Sequence, residues 1–231
     1  MTHFVQLAAI SALILLTSQP VAAKDRQFLT GGEAAETDYY TYVGMIVPGA
    51  GWKNGKGLFQ RYWIDQFGYE YNGAPGRVEA STWGGEVALG YVTPNPRGWW
   101  SASVGLRYTD TSLSPDDPNA SARGTQASAK IQLEIDQALA TDWRIGAIGS
   151  YTLKQNQYWG RLRITRRVSP HWSLGCEGVV NGNDETASIA SGMVLIWHPP
   201  SSSWSLGLKA GYRQQDLGDG GFAGIELGNS F

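Results

Sequence analysis

Charge is scarce in this chain: Asp, Glu, Lys and Arg make up 16% of residues, where a soluble domain of this size carries about a quarter. The formal net charge of −2 offers nothing to a polyanion and speaks against nucleic acid as a partner. There is one cysteine, Cys176, so no internal disulfide can form. Three histidines (His3, His171 and His198) and that lone thiol provide no zinc spacing. Beyond residue 24 no apolar run approaches the roughly 20 residues that a membrane-spanning helix needs. These shortages exclude a nucleic-acid binder, a disulfide scaffold, a zinc protein and a helical membrane protein.

Aromatics and glycine are abundant: 10 Trp, 11 Tyr and 30 Gly. Four segments place a tryptophan and a tyrosine eight residues apart, as Trp83/Tyr91, Trp100/Tyr108, Trp143/Tyr151 and Trp204/Tyr212. Eight residues of strand span about 26 Å, or about 20 Å along a barrel axis at the usual tilt. That is close to the apolar band of an outer-membrane barrel, which aromatic girdles border above and below. The last strand reads Ala223, Ile225, Leu227, Asn229, Phe231 on one face and closes on an aromatic.

The amino terminus fits export. Residues 8–16 form an apolar core too short to span a bilayer, and Val21 and Ala23 supply the small residues a signal peptidase reads. Residues 1–23 are therefore expected to be a signal peptide, although its first residues carry no Lys or Arg, and 24–231 a single barrel domain.

Strict alternation sets the strands. From Arg123 to Ala138, Thr125, Ala127, Ala129, Ile131, Leu133 and Ile135 share one face, with Gln126, Ser128, Lys130, Gln132, Glu134 and Asp136 on the other. One face in oil and one in water is the direct reading. Alternation recurs at 38–48, 77–92, 98–110, 143–153, 158–168, 172–180, 203–213 and 221–231, and more weakly at 57–71 and 186–198. That makes eleven segments, and a barrel with both ends in the periplasm needs an even number. Working back from Phe231 through short periplasmic and longer external connections requires one more strand at about Gln27–Ala34. The expected fold is an all-β, antiparallel up-and-down transmembrane barrel of twelve strands, with ten as the alternative, in the bacterial outer membrane. Cys176 then faces lipid.

Catalysis lacks its usual parts. Outer-membrane hydrolases need a histidine beside Ser or Asp, within hydrogen-bond reach. His3 leaves with the signal peptide, and His171 and His198 map to periplasmic turns; the chain is therefore read as a non-enzyme without cofactor or metal. Asp116, Asp117, Asp216 and Asp219 fall in external loops, where carboxylates either take calcium through their oxygens or, more commonly, are solvated acidic tips.

The inward charges hold the remaining information. Period two points Arg107, Lys130, Glu134, Asp136, Arg144, Arg161, Arg163, Glu177, Lys209 and Glu226 into the lumen, with Trp159 on the face of Arg161 and Arg163, and Glu86 on a neighbouring strand. Folding about Ala140 brings Asp136 to Arg144, and folding about Pro170 brings Arg163 to Glu177. Two readings stand: a lumen filled by paired charges, or a narrow polar path on which Arg107, Arg161 and Arg163 attract an anionic or sugar solute. If Arg61 and Asp65 point inward, Trp63, Phe67 and Tyr69 follow them. These rings form either an aromatic track for sugar or an additional girdle.

The strand Thr37-Asp38-Tyr39-Tyr40-Thr41-Tyr42-Val43-Gly44, the block Trp83-Gly84-Gly85-Glu86-Val87-Ala88-Leu89-Gly90-Tyr91 and the ending Leu208-Lys209-Ala210-Gly211-Tyr212 with Gly224-Ile225-Glu226-Leu227 resemble the BcsS family of cellulose-biosynthesis accessory proteins. The resemblance covers most of the mature chain. It implies an outer-membrane barrel that assists synthesis, export or surface attachment of the glucan, in contact with lipid, with cellulose or an oligosaccharide, and with other secretion components. It supplies no catalytic residues. The alternative is a small porin for oligosaccharides or organic anions.

Overall fold

The computed structural model describes residues 26–230; the expected signal peptide and Phe231 lie outside them. Twelve strands follow one another: β1 Gln27–Ala34, β2 Tyr39–Pro48, β3 Gly57–Gly73, β4 Gly76–Asn95, β5 Gly98–Ser114, β6 Gly124–Ala138, β7 Trp143–Thr152, β8 Gln157–Ser169, β9 Trp172–Gly182, β10 Ala187–Trp197, β11 Trp204–Gln215 and β12 Gly220–Ser230. Each pairs antiparallel with its neighbours in sequence, and β12 pairs with β1 to close the barrel. The strand inferred only by counting is present as β1, and the ten-strand alternative falls away.

Closure leaves no unpaired sheet edge, so the backbone is satisfied without water. Both described ends lie at one rim, here the terminal end; the opposite rim is the far end. Alternation sorts the side chains as oil outside and water inside demand. On β4, Val78, Thr82 and Glu86 are buried inside while Trp83, Val87, Leu89 and Tyr91 are exposed outside. On β6, Ile131, Leu133 and Ile135 stand outward, Leu133 63% exposed.

The ascending strands β7, β9 and β11 start on Trp143, Trp172 and Trp204 at the terminal rim, β5 has Trp100 as its third residue there, and the descending β10 ends on Trp197. Tyr108, Tyr151, Tyr158 and Tyr212 lie toward the far rim. β4 runs the other way, so its pair is inverted, with Trp83 far and Tyr91 near.

The wall is uneven in height. β3, β4 and β5 have 17, 20 and 17 residues, against 8 in β1 and 10 in both β2 and β7. The extra length rises at the far end, where the β3–β4 hairpin packs Tyr71, Val78 and Ala80 into a small apolar cluster. Tyr69, Leu113 and Ala120 cover it. Ala120 belongs to the β5–β6 loop, 115–123, which therefore leans in over the far mouth. β3 has the inward phase Phe59, Arg61, Trp63, Asp65, Phe67, Tyr69, Tyr71, which settles the one strand whose sequence had aromatics on both faces.

Candidate functional site in the barrel lumen

Two ion-pair clusters occupy the lumen. In the first, carried by β3 to β6, Arg61 Nε–H donates to Glu86 Oε1 at 2.9 Å and Nη1–H reaches Glu134 at 3.3 Å. Lys130 Nζ donates to the other Glu86 oxygen at 2.7 Å. Beside them Arg107 holds Asp65 in a two-pronged pair, both contacts 2.9 Å, with side chains 5% and 3% exposed. β3 and β6 are not neighbours, so an Arg61–Glu134 contact can form only across the interior.

The second cluster is carried by β8 to β12 together with β1. Arg163 lies directly across from Glu177 in the β8–β9 register and donates to it, Nε–H to Oε2 being 2.9 Å. It also reaches Glu226 on β12 at 2.9 Å, as Arg161 does at 3.1 Å. Lys209 sits 2.5 Å from Glu33 and 3.3 Å from Glu226. Arg213 pairs with Glu33 and with Asp38 of the β1–β2 turn.

The charges balance within each cluster. Arg61, Arg107 and Lys130 face Asp65, Glu86 and Glu134; Arg161, Arg163, Lys209 and Arg213 face Glu33, Asp38, Glu177 and Glu226. Each cation expected to draw a solute thus has carboxylates at hydrogen-bond distance. Asp136 and Arg144 stand apart as a half-exposed pair at the terminal mouth, joined diagonally, since the register sets Arg144 across from Ala138.

The inward aromatics pack on one another. Tyr42 stacks on Trp63 with ring centroids 4.7 Å apart and on Tyr40 at 5.5 Å. Trp63 Nε1–H donates to the Tyr40 hydroxyl at 3.1 Å. Trp63 also lies against Gly44, where a Cβ would collide with the indole. Phe67 stacks on Tyr69 at 6.2 Å. Trp159 packs against the Val179, Ala190 and Phe222 cluster, with the Arg161 guanidinium 5.8 Å from its ring centre. These are the faces that would have to be free for a sugar to stack.

The far mouth is roofed by loop 115–123. Glu185, from the β9–β10 turn, accepts from the Ser121 amide at 2.6 Å, the Ser121 hydroxyl at 2.7 Å and the Ala122 amide at 3.1 Å. Asp117, buried beneath, accepts from the Tyr71 hydroxyl at 3.2 Å. Asn183 donates to the Tyr69 hydroxyl at 3.2 Å, linking the β9–β10 turn to β3 across the barrel. Asp116 is paired with Arg123 at 2.7 Å. Among the described residues no His, Cys, Asp and Glu cluster has metal-site geometry.

His171 and His198 lie in the β8–β9 and β10–β11 turns at the terminal end, where the His198 amide donates to the His171 carbonyl at 2.8 Å. Ser169 Oγ accepts from the His171 backbone amide at 3.3 Å, a contact with backbone and not with an imidazole. Burial and the nearby Arg167 lower the pKa of His198 below the usual histidine value.

The sequence reading did not single out Glu33, Asp38, Arg213 or Glu185. Glu33 follows Gly31-Gly32 in a short strand of weak alternation. Asp38, expected to open the strand 38–48, lies instead in the turn before β2, and Glu185 sits in the β9–β10 turn, where period two gives no direction. Arg213 did have a signal, since it shares the inward phase of Lys209.

The sequence pattern of the family described as cellulose biosynthesis protein BcsS matches residues 28–231. No match is found among curated proteins. Among solved structures the barrel is similar to an outer-membrane channel from Pseudomonas putida F1, with TM-score 0.59 and 10% identity over 93% of this chain and 100% of that one. The KdgM porin in complex with disordered oligogalacturonate gives 0.52 and 12% over 89% and 99%. The translocator domain of the autotransporter NalP from Neisseria meningitidis gives 0.50 and 10% over 90% and 88%. At these identities the likeness is one of fold.

Proposed function

The chain belongs to the BcsS family of cellulose biosynthesis proteins, and from that premise we propose that it is a non-enzymatic outer-membrane accessory of cellulose synthesis and secretion, acting as a closed scaffold. The terminal end then faces the periplasm, the far end faces outward, and lipid surrounds the exposed apolar wall. The observation that carries the closed state is the pair of charge-balanced clusters whose members meet across the lumen, Arg61 with Glu134 and Arg163 with Glu226. Moving ions or sugar past them would mean separating buried charges from their partners, which costs several kcal/mol for each. What the scaffold offers to a glucan or to another secretion component is then its rims and loops, foremost 115–123 and 216–219. Signal-peptide cleavage after Ala23 completes the reading.

Single-channel recording of the refolded chain from residue 24, with and without cello-oligosaccharides, tests this. Long silence from bilayers that contain folded barrel is expected. Discrete openings blocked by the sugars would overturn the closed scaffold in favour of an oligosaccharide porin and make Arg107, Arg161, Arg163 and Trp159 the residues to mutate. The accessory role is tested separately, by deleting the gene in a cellulose-producing host and measuring cell-surface glucan. Normal glucan after deletion would reject that role.

A further inference from the structure

The outward face of β8 to β10 carries an arrangement that closing a barrel does not require. On β8 the inward set is Trp159, Arg161 and Arg163, so Arg166 stands on the lipid side. Trp143 is its register partner on β7 and Leu174 its partner on β9. The Arg166 guanidinium lies 5.7 Å from the Trp143 ring centre, and among the described residues no carboxylate comes within ion-pair distance. Trp172 and Trp197 stack beside it at 6.2 Å, which sets this cation at the height of the terminal girdle.

Toward the middle of the wall the next two rows are Ile164, Cys176 and Met193, then Leu162, Gly178 and Ser191. Together these side chains line a groove of about 460 Å³. It exists because Gly178 and Ser191 are small between Leu162 and Met193. On β5 and β6 the corresponding surface is raised by Val104, Leu106, Ile131 and Leu133. From Arg166 to Leu162 is four residues, about 13 Å along the strand.

We propose that this face is a phospholipid-binding site, with an anionic headgroup phosphate on Arg166 and one acyl chain lying in the groove; it rests on the membrane-spanning reading of the barrel. An unpaired guanidinium at girdle height fits a phosphate, and an apolar groove running from it into the hydrocarbon fits the chain attached to that phosphate. A second copy seated here on a twofold axis along the membrane normal would bring its own Arg166 to the same height, like charge toward like.

Native mass spectrometry of the folded barrel in nonionic detergent, with equal dioleoyl phosphatidylglycerol and dioleoyl phosphatidylcholine, tests the site. Heat-modifiable gel mobility first establishes that each variant is folded, which separates failure of the site from failure of the barrel. Retention of one phosphatidylglycerol over phosphatidylcholine is expected. Arg166→Gln should reduce its retention about fivefold, the factor a single basic side chain carries at an anionic lipid surface. Gly178→Leu should remove retention of both lipids; a Cβ there meets nothing nearer than the Ala190 carbonyl at 3.9 Å, so the strand accommodates it. Equal retention of the two lipids by the wild type, or retention indifferent to both substitutions, would overturn the proposal. So would a protein dimer that Gly178→Leu dissolves, which would make the groove an interface between copies.

Discussion

Asp65 and Arg107 show what a single buried pair does in this lumen. Their two parallel contacts leave the guanidinium no other carboxylate at hydrogen-bond distance, so Asp65→Asn strands a buried charge. A loss of about 3–5 kcal/mol is expected in urea unfolding from lipid vesicles, while replacing both residues by apolar ones of similar volume should restore much of it. If the single and double variants unfold alike, the pair is not coupled. At His198, burial and Arg167 favour the neutral imidazole in the folded state. The resulting stability is present above the unfolded value of about 6.5 and is lost as pH falls through the lower folded value. Arg167→Gln should raise the His198 midpoint in an NMR titration of labelled imidazoles; an unchanged midpoint would assign the shift to burial alone. Inward charges such as Arg163 and Glu177 were legible, because period two gives the face and the short turn at Pro170 gives the neighbour. The partners of Arg61 and Arg163 across the lumen were not, since Glu134 and Glu226 sit three and four strands away and register reaches only the next strand.

Loop 115–123 is the element whose behaviour is least like a connection. Glu185 accepts two of its backbone amides and one hydroxyl, and the Ser121 hydroxyl also reaches Asp184. The Tyr71 hydroxyl donates to Asp117, and Ala120 packs on the Tyr71 cluster, so Glu185 makes the largest share of the polar contacts that fasten the loop. Glu185→Ala should release it. The loss of charged hydrogen bonds is worth about 1.5–3 kcal/mol, so trypsin cleavage at Arg123 should accelerate at least about tenfold while the strands stay protected. Equal cleavage rates would mean that Asp117, Asp184 and the apolar contact hold the roof without Glu185. Alternation announced the strands on either side of this loop but not its path, because a loop has no period. The sequence reading ended β5 at 110, whereas the strand continues to Ser114 beside the tall β3–β4 hairpin. β1 was the opposite case. Its own residues signal a strand only weakly, and the need for an even count located it where it lies.

For the whole molecule, the two charge clusters divide the barrel. The first is complete within β3 to β6, so that sheet neutralises its own charges before the ring exists. The second is not: both carboxylates that hold Arg213, Glu33 and Asp38, come from β1 and the turn after it, on the other side of the β12–β1 seam. Glu33→Gln should therefore slow the appearance of the folded gel band in vesicle refolding more than Glu86→Gln does; equal slowing would show that the seam has no special part. A sheet that has formed everything except its final pairing still carries the Arg213 guanidinium without either of its two carboxylates, so the last pairing brings contacts that no earlier one can. Only when the first strand reaches the last does Arg213 drop onto its two carboxylates, as a rivet does, and the seam that would otherwise be the weakest line in the wall becomes the one that cannot be left half done.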